Sequence, residues 1–161
     1  GITRVVTIDL HAAQIQGFFN IPFDHMPGGP LMAEYIKSKN LEDMVVISPD
    51  LGGVSRARNF AEMLNAPLAI IDKRRPEPGV AEVMNLIGDV KGCTHPILTD
   101  PALSRIAQSD ITELVVTNTI PLAPSKKHPK IKVLSIAPIL AETILRIYND
   151  WSVSQLFDTK H

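Results

Sequence analysis

The sequence has almost no cysteine, no long apolar run and almost no net charge. Cys93 is the single cysteine among 161 residues, so an intrachain disulfide is impossible and an intracellular, cytoplasmic protein is the simplest interpretation. No apolar run approaches the roughly 18 residues of a membrane span. The apolar stretch after Arg4 is soon interrupted by Asp9 and His11, so we expect no signal peptide. A net charge of −1 predicts no general attraction to nucleic acid or to acidic membranes.

The composition is that of an ordinary globular domain. Hydrophobic residues make up 45% of the chain and charged residues 20%, which is typical of soluble proteins. A chain of this length suits one domain and buries roughly 70% of its unfolded surface, so it folds without disulfides or structural metals.

Short apolar runs alternate with segments of helical periodicity. This alternation predicts right-handed βαβ units, a parallel sheet and the α/β fold class. A region rich in proline and glycine, 22–30, predicts a loop. The predicted strands are 4–10, 44–48, 68–71, 80–90, 114–117 and 133–136, and the predicted helices are 31–40, 54–64, 101–107 and 138–148.

Three polar clusters directly follow predicted strands, and ligands of parallel sheets bind outside the carboxyl ends of the strands. In the first cluster, Asp9 and His11 would share one face of an extended strand. A carboxylate and an imidazole side by side can hold a divalent metal. The alternative interpretation is a helix cap, or a hydrogen-bonded pair at the end of a strand.

The second cluster, 50–53, precedes a predicted helix. Gly52 and Gly53 would let the backbone approach a phosphate at the helix N-terminus. Asp50 could bind the metal that accompanies this phosphate, or it could simply cap the helix.

The third cluster places Lys73, Arg74 and Arg75 in a loop rich in proline and glycine. Phosphoryl transfer uses such cations to stabilise charge on the phosphoryl oxygens, and a mobile loop can bring them over the substrate. Taken alone, the cluster is more simply interpreted as a solvated basic turn. Isolated histidines such as His95 and His128 carry no functional signal by themselves.

Taken together, these clusters resemble the ribose-phosphate pyrophosphokinases, also called phosphoribosyl pyrophosphate synthases. The similarity covers nearly the whole chain in the order of the family. The matching stretches are TIDLHAAQIQGFFNIP at 7–22, VVISPDLGG at 45–53, IIDKRRP at 70–76, AEVMNLIGDVKG at 81–92, CTHPIL at 93–98, ELVVTNTIPL at 113–122, HPKIKVLSIAP at 128–138 and SVSQLF at 152–157.

The resemblance implies a type I phosphoribosyltransferase-like domain over 1–161, the C-terminal half of such an enzyme. It also implies transfer of the pyrophosphoryl group of ATP to ribose 5-phosphate, with Mg²⁺, to give phosphoribosyl pyrophosphate and AMP. Assembly into a homo-oligomer, a hexamer by family resemblance, and regulation by ADP or phosphate are further expectations.

The same resemblance assigns roles to individual residues. His11 and Asp9 correspond to a metal–ATP site, and Asp50 to a second metal-site carboxylate. Lys73 and Arg75 correspond to catalytic-loop cations, with Arg75 also near the ribose phosphate. The allosteric phosphate or ADP site between subunits would include Gln16, Asp24, Ser152, Val153, Ser154 and Phe157.

Two family features are missing from the sequence. The N-terminal domain does not precede Gly1, and the acidic loop that binds ribose 5-phosphate is absent at the junction of Gly92 and Cys93. We therefore expect the 161-residue chain to be inactive alone and to form part of a longer protein. The alternatives are a non-catalytic regulatory subunit of the same fold and a nucleobase phosphoribosyltransferase. Intact Lys73 and Arg75 argue against the first, and the long match at 7–22 and 70–92 argues against the second.

Overall fold

The computed structural model describes residues 1–48, 51–70, 90–98 and 100–157. Strands and helices alternate along these ranges. In chain order they are β1 (Val5–Ile8), β2 (Phe23–Met26), α1 (Gly29–Lys37), β3 (Val46–Ser48), α2 (Val54–Leu64), β4 (Leu68–Ile70), β5 (Val90–Cys93), α3 (Asp100–Gln108), β6 (Glu113–Thr117), β7 (Ile131–Leu134) and α4 (Ala137–Tyr148).

Every described strand pairing is parallel. Strand β1 pairs with β2, β3 with β4, and β6 lies between β5 and β7. Parallel strands joined by helices confirm the predicted α/β fold class, because parallel neighbours need a crossover connection. The carboxyl ends of β5, β6 and β7 therefore lie on the same edge of their sheet.

The helix boundaries follow from local chemistry. Proline occupies the first turn of α1 and of α4, where its missing N–H group breaks no helical hydrogen bond. Helix α2 ends at Asn65, whose φ of 51° is left-handed and whose N–H donates to the carbonyl oxygen of Ala61. Asparagine tolerates this conformation better than most residues.

Two buried clusters hold the helices against the strands. The first joins α1 to α2 through Ala33, Ile36 and Leu64, with Val46 of β3 packed beside them. The second joins α3 to β6 through Ile106, Leu114 and Val116. Helix α4 reaches β2 through Thr143 and Met26, two fully buried residues whose Oγ1 and Sδ atoms lie 2.6 Å apart.

Several sequence-based boundaries were wrong. Region 22–30 is not all loop, because Phe23–Met26 forms β2 by pairing with β1, a tertiary contact that local propensity does not reveal. Strand 4–10 shortens to Val5–Ile8, half-buried rather than buried. Strand 133–136 lies two residues earlier, since Leu114 pairs with Ile131. Helix 31–40 begins and ends earlier, at Gly29–Lys37.

The predicted helix 54–64 is confirmed at both ends. The prediction of a strand over 80–90 falls outside the described residues, apart from Val90. In the part of the chain that the structure describes, no helix is both long enough and apolar enough to cross a membrane.

Candidate functional site

The side chains at the carboxyl ends of β1, β2, β5 and β6 converge in one hydrogen-bonded cluster. Asp9 follows β1 directly, with a left-handed φ of 44° that aspartate tolerates better than most residues. Its N–H donates to the carbonyl oxygen of Met26 at 2.9 Å. Its carboxylate accepts a hydrogen bond from the N–H of Gly28 at 3.1 Å and a short one from the hydroxyl of Thr94. One carboxylate therefore links the ends of three strands.

His95 holds the backbone on either side of the same turn. Its Nε2 atom lies 3.1 Å from the carbonyl oxygens of both Ile8 and Asp9. Because carbonyl oxygens only accept hydrogen bonds, Nε2 must carry the hydrogen. The other ring nitrogen, Nδ1, lies 2.9 Å from Oγ1 of Thr119. The imidazole thus bridges the end of β1 to the end of β6.

Two threonine hydroxyls hold the Thr94 backbone in turn. Thr117, fully buried at the end of β6, donates to the carbonyl oxygen of Thr94 at 2.6 Å. Oγ1 of Thr119 lies 2.8 Å from the same oxygen. Since buried polar groups are costly without partners, these neutral contacts stabilise one arrangement of the edge.

The chain leaves this cluster towards His11. The N–H of Leu10 donates to Nε2 of His25 at 3.0 Å. His11 itself is exposed, and its ring makes no hydrogen bond to any residue that the structure describes. Its nitrogens are therefore available to a ligand.

The thiol of Cys93 lies at the end of β5 beside this cluster. Burial raises the pKa of the thiol, although its hydrogen bond to the carbonyl oxygen of His95, at 3.4 Å, acts in the opposite direction. Cys93 therefore stays a neutral, packed thiol at physiological pH.

A second polar group forms around Arg4 and Asp24. Arg4 donates to both carboxylate oxygens of Asp24, at 2.5 and 3.1 Å. The hydrogen bond to Asp24 raises the pKa of the Arg4 guanidinium, and the charge of Asp150 adds to this effect. Further along, the hydroxyls of Ser152 and Ser154 lie 2.8 Å apart.

Comparison with known proteins shows what this chain is similar to. The family model of the phosphoribosyl synthetase-associated domain matches residues 79–158. The ribose-phosphate pyrophosphokinase of Bacillus caldolyticus is 51% identical over 98% of this chain, and that of Caldanaerobacter subterraneus is 52% identical over the same share.

The chain is similar to the ribose-phosphate pyrophosphokinases over nearly its whole length.

A solved structure supports the fold. The crystal structure of phosphoribosylpyrophosphate synthetase from Mycobacterium smegmatis superposes with a TM-score of 0.80 and 38% identity. The match covers 93% of this chain and 60% of that one. The fold is therefore the phosphoribosyltransferase-like α/β fold expected from the sequence.

The chain spans about 61% of the length of the two curated relatives. Their alignments run over 192 positions, whereas 98% of 161 residues is about 158. About 34 positions of these relatives therefore have no counterpart in this chain.

The structure describes only some of the residues that family resemblance assigns to the metal and catalytic sites. Asp50, Lys73 and Arg75 lie outside the described residues. Asp9 and His11 do not share a strand face as expected, because β1 ends at Ile8 and the left-handed Asp9 turns the chain. Asp9 instead ties the strand ends together, and His11 lies beyond them.

The residues assigned to the allosteric site lie in two stretches of the chain. Asp24 pairs with Arg4, and the amide of Gln16 donates to the carbonyl oxygen of Ala13 at 3.2 Å. In the C-terminal segment Val153 is buried, Phe157 is half-buried, and Ser152 and Ser154 are exposed.

The chemistry of the donors is compatible with a magnesium ion. Among the described residues, no three histidine, cysteine or acidic side chains lie close enough to form a metal site by themselves. Mg²⁺ commonly takes only one or two protein carboxylates and completes its shell with water and substrate phosphates. The Asp9 carboxylate accepts two described hydrogen bonds and has further lone pairs, so Asp9 and His11 fit a part of such a site.

Sequence reasoning missed the residues that organise this edge. His95 carried no signal as an isolated histidine, and Thr94, Thr117 and Thr119 were not considered. The available signal was their position, since Thr94 and His95 directly follow β5, while Thr117 ends β6 and Thr119 lies two residues beyond it. Polar residues just beyond parallel strands are the positions where ligand sites form.

Proposed function

We propose that this chain is the C-terminal half of a ribose-phosphate pyrophosphokinase, which transfers the pyrophosphoryl group of ATP to ribose 5-phosphate. The observation that carries this proposal is the alignment of 98% of the chain with enzymes of that name at 51% and 52% identity. The polar cluster at the carboxyl edge of the strands supports it, because substrates bind there in open α/β sheets.

Two groups of side chains would act on the substrates. Asp9 and His11, with Asp50, would hold Mg²⁺ and the phosphates of ATP. When bound there, Mg²⁺ would supply positive charge to offset the negative charge that develops on the phosphate oxygens. Lys73 and Arg75 would stabilise the transferring group, with Arg75 also near the ribose phosphate.

A segment that binds ribose 5-phosphate belongs between Gly92 and Cys93 in the complete enzyme. The roughly 34 alignment positions without a counterpart support this proposal. In the present chain β5 runs without interruption through this junction, so the chain closes without the segment. The chain alone should therefore bind ribose 5-phosphate poorly.

We assign regulation by ADP or phosphate to the surface that contains Asp24 and the 152–157 segment. The influence of Asp150 on the Arg4 guanidinium supports the closeness of these two regions. The complete protein would act in the cytoplasm as a homo-oligomer, and a hexamer is the state implied by family resemblance.

The first experiment measures the intact mass and activity of the purified protein. A mass near 17.6 kDa together with no AMP formation from ATP and ribose 5-phosphate is expected for the chain alone. AMP formation by a protein of that mass would contradict the proposed need for the missing segment.

The second experiment restores activity in a chimera. The missing segment is inserted at the 92/93 junction, and the N-terminal part of the Bacillus caldolyticus enzyme precedes Gly1. The chimera should then form AMP, and Lys73→Ala or Arg75→Ala should lower kcat by roughly 10²-fold or more, as removal of a transition-state contact does. Arg105→Ala, on α3, is the control for loss of a positive charge.

The same chimera separates the alternative functions. Conversion of phosphoribosyl pyrophosphate and a free base to a nucleotide, without AMP formation from ATP, would indicate a nucleobase phosphoribosyltransferase. A chimera that forms no AMP but changes the rate of the intact Bacillus caldolyticus enzyme would indicate a regulatory subunit. Either outcome would contradict the proposal.

A further inference from the structure

We infer that Thr94 and His95 are positioning residues that aim His11 at the substrate edge by fixing the turn of Asp9. This inference rests on the proposed function for the role of His11, but its structural part stands on hydrogen bonds alone. Neither residue touches a reacting group in this arrangement. Thr94 acts through the Asp9 carboxylate, and His95 acts through the backbone that precedes His11.

Hydrogen bonds from other parts of the chain hold both the backbone and the Asp9 side chain in the turn from Ile8 to Leu10. The carbonyl oxygens of Ile8 and Asp9 meet His95 Nε2, and the Asp9 carboxylate meets the Thr94 hydroxyl. The Asp9 N–H binds the Met26 carbonyl oxygen, and the Leu10 N–H binds His25. The left-handed backbone of Asp9 is thereby over-determined, as strained residues at functional sites are.

The next residue along the chain, His11, is exposed and has no such tether among the described residues. Its direction therefore depends on the turn before it. Residues that orient a metal ligand without touching the metal typically change its affinity by 10–100-fold when they are replaced. Thr94 and His95 have the geometry of such supports, and their own positions are fixed by Thr117 and Thr119.

Thr94→Val and Thr94→Ser form a matched pair for testing this role. Valine keeps the shape of threonine but cannot donate to Asp9, whereas serine keeps the hydroxyl and loses a methyl group. Without the donor, the Asp9 carboxylate retains the described hydrogen bond from Gly28 and can rotate. Thr94→Val should therefore loosen the turn, and Thr94→Ser should preserve it.

The first measurement is amide hydrogen exchange by NMR in the 161-residue chain without metal. The protection of the Asp9 and Leu10 amides should fall roughly tenfold in Thr94→Val and stay near the parent value in Thr94→Ser. Protection of Val115, in the middle of β6, reports global stability and should be unchanged. Equal protection of Asp9 and Leu10 in both variants would overturn the inference.

The second measurement uses Mn²⁺, a paramagnetic substitute for Mg²⁺, and follows broadening of the His11 ring signals. The Mn²⁺ concentration for half-broadening should rise roughly 10-fold in Thr94→Val, within the range for supporting residues, and return towards the parent value in Thr94→Ser. No broadening in the parent would refute the metal role of His11 in the proposed function. Amide exchange would then decide the positioning role by itself.

A second variant covers the case in which Thr94→Val does not fold. Thr119→Val removes the hydroxyl beside His95 Nδ1 and leaves the Asp9 carboxylate contacts intact. Thr119→Val should lower the protection of the Asp9 and Leu10 amides, but by less than loss of the Thr94 hydroxyl would. Thr119→Ser should leave this protection unchanged. An unchanged turn in Thr119→Val would contradict the role of His95.

Discussion

The two ends of the β5–β6–β7 sheet are held by different kinds of polar contact. At the carboxyl end, threonine hydroxyls and an imidazole bind backbone carbonyl oxygens. At the amino end, Tyr35 of α1 donates to Glu113 at 2.8 Å, and Lys39 pairs with the other carboxylate oxygen at 3.0 Å. The Lys39 ammonium also lies 4.9 Å from the centre of the Tyr35 ring.

This contrast indicates which end of the sheet can carry a site. The contacts at the carboxyl end are directional and partly buried, so they determine where Asp9 and its neighbours lie. The ion pair at the amino end involves long side chains near solvent and contributes little to stability. The loss of stability caused by a replacement should therefore differ between the two ends, both in magnitude and in its dependence on pH.

Gly28→Ala should have the largest effect, because it disrupts the carboxyl end directly. An added Cβ would lie 2.7 Å from Oδ2 of Asp9 and 2.9 Å from Cγ2 of Thr94. Relief requires one of these side chains to rotate and to lose its hydrogen bond. We expect a loss of about 2–3 kcal/mol in the free energy of unfolding, as in other overpacked sites, measured by urea denaturation.

Gly17→Ala is the control for Gly28→Ala, since nothing lies within 4 Å of a Cβ added at Gly17. It should change the free energy of unfolding by less than about 0.5 kcal/mol. Equal effects of the two replacements would mean that the carboxyl end is not tightly packed.

Thr117→Val should have an intermediate effect, because valine fills the same buried space without the hydroxyl. The Thr119 hydroxyl would stay 2.8 Å from the carbonyl oxygen of Thr94, so this acceptor keeps a partner. The N–H of Thr119 would lose its 3.3 Å hydrogen bond to the Thr117 hydroxyl. We expect a loss of about 1 kcal/mol that does not change with salt. Thr112→Val, at an exposed position, is the control for replacing threonine with valine. A similar loss of stability in Thr112→Val would refute the assignment of the loss to the Thr117 hydroxyl.

Glu113→Gln should have the smallest effect, and its effect should depend on pH. Burial opposes the charge of Glu113, but the Tyr35 hydrogen bond and the Lys39 ion pair outweigh it and hold the pKa of Glu113 below its ordinary value. A carboxyl with a lowered folded-state pKa adds stability above its unfolded pKa and loses it as the pH falls through the folded value. The parent should therefore exceed the variant in stability at pH 7.

The stability difference between parent and Glu113→Gln should shrink as the pH falls from about 5, near the unfolded pKa of a glutamate, to below the folded value. Added salt should shrink it too, because screening weakens exposed ion pairs. Glu34→Gln, on the exposed side of α1, is the control. A stability difference between the parent and Glu113→Gln that grows at low pH would contradict its assignment to the charge of Glu113.

Much of the fold could be predicted from local sequence. Helix 54–64 was predicted to the residue, because its apolar spacing and the Gly-Gly and Asn-Ala-Pro borders are local features. Strand β2 was missed, because FDHM lacks β-branched residues and becomes a strand only by pairing with β1. Register errors such as that in β7 have the same origin, since pairing and not composition selects the strand residues.

The candidate site was predictable in its place but not in its organisation. The predicted meeting of the clusters at 9–11, 50–53 and 72–75 at one edge stays a prediction, because Asp50 and 72–75 lie outside the described residues. The structure instead brings Asp9 to Thr94 and His95. That His95 would bind the carbonyl oxygens of Ile8 and Asp9, 87 and 86 residues away in sequence, could not be foreseen. Sequence spacing contains no information about such distant contacts.

The amino-acid sequence by itself determined the fold class, most of the helices and the family resemblance, since periodicity and long motifs are properties of the chain. Only the tertiary structure decided that Asp9 turns left-handed after β1 and that Thr94 and His95 hold it there. Pairing β5 with β6 brings these groups together. The energy that favours their arrangement comes from hydrogen bonds that form only when distant segments meet.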